Sequence, residues 1–131
     1  MSGFLLDTHV WFWYLIGSIR LPTGLRQVID EHSAQCWLSP VTLWELGMLA
    51  HRGRVRISGS YRDWAGCAQR EFPLREASLN REVALRSLEV DLPHRDPADR
   101  FLAATALVFE LTLLTVDTHL VNASWLLTRS S

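Results

Sequence analysis

Apolar residues along this chain follow two patterns, and each predicts a different element. Short apolar runs occur at Gly3 to Leu6 (GFLL), Gln35 to Leu38 (QCWL) and Leu111 to Val116 (LTLLTV). Runs of that length next to polar or turn residues predict buried strands. The second pattern has the spacing of a helix face. Leu25, Val28 and Ile29 recur this way within Pro22 to His32, with a proline near the start. Leu79, Val83 and Leu88 predict a further helix over Leu79 to Leu88, with those three on one side. Tyr61 to Phe72 is expected to be helical until Pro73 breaks it, and Thr8 to Ile16 to be a short helix or turn.

Local signals sharpen two of these boundaries. Ser39-Pro40 marks a helix start, with a capping hydroxyl and proline at the first helical position. That helix should run to about Arg52, where Gly53 stops it. Asp96-Pro97 opens a long helix through Ala98 to Phe109, which hands over to the strand at Leu111. Strands that alternate with helices imply a central parallel sheet flanked by helices on both faces. The expected fold class is α/β, in one domain spanning 1–131. There are no repeats, linkers or low-complexity segments.

Composition narrows the class without choosing a function. A chain of 131 residues fits one domain and can bury roughly two-thirds of its unfolded surface. At 48% hydrophobic and 21% charged residues it is neither disordered nor a membrane protein. Cys36 and Cys67 have no metal-ligand spacing, so both are expected to be small buried apolar residues in a reducing compartment. The first residues lack a basic leader, and Leu102 to Val116 contains Glu110 and is too short to span a bilayer. The expectation is a cytoplasmic protein with no membrane contact.

A net charge of −1 says little about a nucleic-acid partner. All 13 basic residues are arginine, which fits either genome composition bias or bidentate phosphate contacts. His51, Arg52, Arg54 and Arg56 form the densest basic run, equally readable as a solvated helix end. Trp11, Phe12, Trp13 and Tyr14 are consecutive, and one helix face cannot bury all four. Some should be exposed or lie in an interface, for which a dimer or partner contact is a fit.

Candidate chemistry lies in the acids. Asp7 and Asp117 each follow an apolar strand, and each is followed by Thr and His (LLDTH, TVDTH). Ligand sites of open parallel sheets form beyond the carboxyl ends of strands, so the two could share a cleft; aspartate is also common there as a turn and cap residue. Glu45 has Val41, Thr42, Met48 and Leu49 at helical spacing. It either faces solvent at the edge of that stripe or is buried with a compensating partner. Asp99 can face the dipole of a helix capped by Asp96, yet it also shares a face with Leu102, Ala103 and Ala106. If Asp7, Glu45, Asp99 and Asp117 met, they would repel unless cations joined them. Oxygen ligands without a His or Cys cluster point to Mg²⁺ or Mn²⁺ rather than zinc. One or two such ions can activate water against a phosphodiester.

The strings LLDTHVWFW, TLWEL, HRDPADRFLAATA and LLTVDTHL, in this order, resemble the PIN-domain toxins of the VapC type over essentially the whole chain. That resemblance implies that Asp7, Glu45, Asp99 and Asp117 bind Mg²⁺ or Mn²⁺ and are catalytic. It places Thr8 and Thr115 as hydroxyls beside the site and Asp96 as an extra acid, assigned to capping first and to a supporting role second. It further implies an RNA substrate, endonucleolytic cleavage, a homodimer and a small antitoxin. His51, Arg52 and Arg54 stand where relatives often carry lysine, which leaves substrate contacts open. His9 and His119 either touch substrate or are ordinary polar residues at helix starts.

Three rival readings remain. A catalytically silent PIN-like module would bind RNA or a partner, although none of the four acids is replaced. A haloacid-dehalogenase-type phosphatase needs an acid two residues after the first aspartate, where this chain has His9. A purely structural partner protein would bind no metal.

Overall fold

The computed structural model describes residues 3–92 and 96–131. In chain order its elements are β1 (Phe4–Leu6), α1 (Thr8–Ile16), α2 (Thr23–Glu31), β2 (Cys36–Leu38), α3 (Pro40–His51) and α4 (Tyr61–Glu71). They continue with β3 (Arg75–Glu76), α5 (Arg81–Glu89), α6 (Pro97–Val108), β4 (Thr112–Leu114), α7 (Thr118–Val121) and β5 (Thr128–Arg129). The five strands form one parallel sheet in the order β3-β2-β1-β4-β5.

The helices start where side chains can satisfy their first N–H groups. Asp7, Ser39, Ser60, Asn80, Asp96 and Asp117 each accept a bond from the helix that follows. Gly17 ends α1 with a positive φ of 65°, receiving a left-handed turn that a side chain would disfavour. Gly53, at φ 73°, stands just beyond the end of α3, as expected.

Strand residues alternate between two apolar layers, one on each face of the sheet. Leu6, Leu114, Cys36 and Leu38 join the layer under α1 and α2, with Val10, Trp11, Leu25 and Ile29. Leu5 and Leu113 point the other way, into a layer with Leu102, Ala103 and Ala106 of α6. Leu5, Leu6, Leu113 and Leu114 are completely buried, and each such side chain contributes roughly 1.5–3 kcal/mol. This is the expected sheet with helices on both faces. Among the described residues, no helix is long and apolar enough to cross a membrane.

Three expectations are corrected. The inward face of the α5 region carries Val83, Ser87 and Val90, whereas Leu79 and Leu88 are exposed. A five-residue step from Val83 to Leu88 turns a helix by about 140°, so the two cannot share a face. Cys36 is buried but Cys67 is exposed on α4, its thiol donating to Glu71 at 3.6 Å. The strands β3 and β5 and the single turn α7 were not anticipated. Of the aromatic run, Trp11 and Phe12 are buried, while Trp13 and Tyr14 are half-buried.

Candidate functional site

The direction of winding reverses at β1. From β1 the chain moves outward on one side to β2 and β3, then returns to place β4 against the other side of β1. At such a point the connections diverge and leave a crevice beyond the carboxyl ends of the two strands. Asp7 directly follows β1, and Asp117 stands three residues beyond the end of β4. Helix α3 packs against both α1 and α6, which carries Glu45 toward Asp7 on one flank and Asp99 on the other. The result is a cleft of about 300 Å³ lined by Asp7, His9, Trp13, Glu45, Asp96, Asp99, Val116 and Asp117. A larger hollow of about 550 Å³ borders α3, α4 and β3, but Glu76 is the one acid on its lining.

Hydroxyl groups lock the strand-end acids. Asp7 is buried; it accepts the Thr8 N–H at 2.7 Å with one carboxylate oxygen and the Thr115 hydroxyl at 2.5 Å with the other. The same Thr115 oxygen accepts the Asp117 N–H at 3.1 Å, and Asp117 accepts the His119 N–H at 2.8 Å. One buried threonine therefore couples the ends of β1 and β4. The Thr8 hydroxyl donates to Glu45, so α1 and α3 are tied at the cleft edge. This answers how a half-buried glutamate sits on an apolar stripe: a hydroxyl compensates it.

The other wall is built on α6. Carboxylate oxygens of Glu45, Asp96 and Asp99 can all lie within 4.8 Å of one another. Asp96 caps α6 by accepting the Ala98 N–H at 3.0 Å, and its carboxylate lies in the same cluster as Asp99. Arg100 fixes the start of that helix against α5 by donating to the carbonyls of Ser87 and Val90, both at 3.1 Å. Asp99 is buried, on the same face as Leu102, Ala103 and Ala106.

Crowding shifts the titration of these acids. Burial pushes the Asp99 carboxyl up to about 8, reinforced by Asp96, Asp7, Asp117 and Glu45. Burial also raises Asp7, opposed by bonds from Thr115 and Thr8 and by His9, with Asp117 adding to the rise. Glu45 is raised by burial too, against the Thr8 bond that lowers it. Like charges this close repel, which disfavours ionising the buried members of the group unless positive charge is present. The clustered donors, on Glu45, Asp96 and Asp99, are all carboxylate oxygens, which fits a hard divalent cation better than a soft one. Glu45, Asp96 and Asp99 form the tightest group, with Asp7 and Asp117 on the facing wall of the same cleft.

Each acid singled out in the sequence, Asp7, Glu45, Asp99 and Asp117, thus lies on one cleft, and Thr8 and Thr115 orient two of them. Asp96 caps α6 and also lies in the acidic cluster. It stands one helical turn before Asp99, and that spacing was the signal that could have placed it in the cluster. Arg100 was missed, because nothing in the sequence says which carbonyls an arginine will reach. His9 lines the cleft, whereas His119 lines a separate hollow with Asp91, Asn122 and Trp125. His51 and Arg56 border a third hollow beside Tyr61, outside the acidic cleft.

Comparison with known proteins identifies the family. The model of the PIN domain family matches residues 4–126. Ribonuclease VapC22 of Mycobacterium tuberculosis is 31% identical over 123 residues, covering 92% of this chain and 91% of that protein. Among solved structures, the fold is similar to a chain of DNA-bound VapBC from Salmonella typhimurium, with a TM-score of 0.71 at 16% identity over 98% of both chains. It is also similar to a chain of FitAcB from Neisseria gonorrhoeae, with a TM-score of 0.67 at 20% identity, covering 97% of this chain and 96% of that one. A parallel five-stranded sheet, an acidic cleft at its winding reversal and a family match over nearly the whole length lead to one assignment: the chain belongs to the PIN-domain family, in its VapC branch.

Proposed function

We propose that the chain is a divalent-cation-dependent endoribonuclease and the toxin of a toxin–antitoxin pair, acting in the cytoplasm as a homodimer. The observation that carries this reading is the convergence of Asp7, Glu45, Asp96, Asp99 and Asp117 on one cleft of single-nucleotide size. RNA as substrate is supported by the relative that is named a ribonuclease. A small antitoxin partner is supported by a similar solved structure described as a toxin–antitoxin complex from Klebsiella pneumoniae.

Glu45, Asp96 and Asp99 would hold Mg²⁺ or Mn²⁺, with Asp7 and Asp117 completing the oxygen set. A bound cation of this kind supplies the positive charge that makes water a nucleophile at neutral pH and offsets charge on the leaving oxygen. The protein's own groups do the positioning. Thr115 holds Asp7 with its second oxygen engaged, so that carboxylate cannot rotate away from the cleft. Thr8 fixes the Glu45 side chain, and Arg100 holds the turn that presents Asp96 and Asp99. Burial and its acidic neighbours favour the protonated Asp99 carboxyl in the empty cleft, and positive charge entering the cleft would favour its ionised form.

The test is cleavage of a mixed set of labelled RNAs by the purified chain with Mn²⁺, with Mg²⁺ and with EDTA. Discrete cuts with either ion and none in EDTA are expected. Cuts that persist undiminished in EDTA would contradict the proposal. No cutting with either ion, and no ion binding, would favour a silent binding module.

A further inference from the structure

We propose that Trp13 and His9 form a stacking wall, facing Val116, on which a nucleobase next to the reacting phosphodiester of single-stranded RNA rests. This builds on the ribonuclease reading above and names how the same cleft grips its substrate. Eight residues line the cleft, and five are carboxylates. A base cannot stack on those, so its contacts fall to the remaining three, His9, Trp13 and Val116.

The geometry of α1 sets them out as a surface. His9 and Trp13 are one helical turn apart and share a face, with ring centroids 5.5 Å apart and planes tilted by 47°. Trp11 occupies the opposite side, and both it and Val10 are buried in the core. Trp13 packs partly against that core and is otherwise open to the cleft, so its indole is held rather than free to swing. His9 is exposed, and Val116 keeps 36% of its surface exposed beside Asp117.

Distance from Asp7 is fixed because Asp7 caps the helix that carries both rings, and the other four acids line the same cleft. Asp7 caps α1, and His9 and Trp13 follow on that helix. A phosphodiester drawn to a cation at the acids therefore leaves one attached nucleoside alongside the rings. At about 300 Å³ the cleft is at the low end of ligand pockets and accepts a single nucleotide unit. Base faces in a duplex are covered by their neighbours, so a stacking wall selects unpaired RNA. Every base has a π-face, so the wall grips without dictating sequence.

The experiment measures binding of single-stranded oligoadenylate and of an abasic ribose-phosphate oligomer of equal length. Ca²⁺ is the cation, so that binding is read without cutting. The wild-type chain should bind oligoadenylate roughly tenfold or more tighter than the abasic oligomer. Trp13→Ala should bring oligoadenylate down to the abasic level and leave abasic binding unchanged, while Trp13→Phe should retain most of the difference. His9→Ala, at an exposed position that leaves the core intact, should lose part of it and serves if Trp13→Ala does not fold. Equal weakening of both oligomers by Trp13→Ala would mean a structural role and overturn the wall, as would unchanged oligoadenylate binding in Trp13→Ala and His9→Ala. A wild-type chain that binds neither oligomer and cuts no RNA with Mn²⁺ would overturn the ribonuclease reading along with it.

Discussion

The two walls of the cleft hold their acids in different ways. On the strand-end wall, Asp7 has both oxygens engaged, by Thr8 and Thr115, and Thr115 is shared with the backbone of Asp117. On the helix wall, Glu45, Asp96 and Asp99 crowd within 4.8 Å, and burial with four acidic neighbours raises Asp99 to about 8. The first wall is fixed by hydrogen bonds before anything binds. The second also has hydrogen bonds, from Thr8 to Glu45 and from the Ala98 N–H to Asp96, but its acids crowd one another more closely and gain most from a cation. Hydrogen bonds that favour the charged form oppose the effect of burial, so the walls should respond differently to the same substitution.

The largest effect expected is on cleavage. Asp7→Asn and Asp99→Asn should each lose at least about 100-fold in rate, read on labelled RNA with Mn²⁺. Their stabilities should diverge. Asp99→Asn removes a repelled carboxyl and should raise the melting temperature of the metal-free chain at pH 8, whereas Asp7→Asn disturbs two hydrogen bonds and should gain little or nothing. Equal gains in both variants would show that the walls do not differ.

Next comes Thr115→Val, which removes the hydroxyl bridging Asp7 and Asp117. A drop of about 10–100-fold in metal affinity or cleavage is expected, as for other groups that orient ligands, with the far-UV spectrum unchanged. Wild-type affinity in this variant would mean that the backbone alone positions Asp7.

A pH series on the metal-free chain sharpens the comparison. Asp99 keeps its proton to about 8 in the folded chain, against an ordinary value of 3.8. Between those values the folded state binds more protons than the unfolded one, so stability falls as pH rises. The raised Asp7 and Glu45 add to the fall with the same sign. Melting temperature should decline from pH 4 to 8 without metal, and Mn²⁺ should flatten the decline. The smallest effect is expected from Thr8→Val. Glu45 is half-exposed and water can replace the lost donor, so the cost should be about 0.5–1.5 kcal/mol in stability and a few-fold in rate.

Much of this arrangement was legible in the sequence, for identifiable reasons. Unbroken apolar runs revealed β1, β2 and β4 because each is buried on both faces, and Ser39-Pro40 and Asp96-Pro97 revealed the starts of α3 and α6 because capping is local. The edge strands Arg75–Glu76 and Thr128–Arg129 were not legible. Two residues carry no periodicity, and they are strands only because a neighbour pairs with them. Asp96 was half legible, since a cap explains its presence and hides its place in the acidic cluster. Cys67 and Leu88 were misjudged from residue type and loose spacing, which do not report what packs against a helix.

The most direct test of the crowded helix wall is calorimetric titration of Mn²⁺ into the metal-free chain at pH 7, in two buffers of different ionisation heat. With Asp99 protonated until charge enters the cleft, binding should release a proton to the buffer in the wild-type chain and release less or none in Asp99→Asn, which should also bind more weakly. Mn²⁺ binding of unchanged affinity and unchanged proton release in Asp99→Asn would contradict a cation site built around that carboxylate.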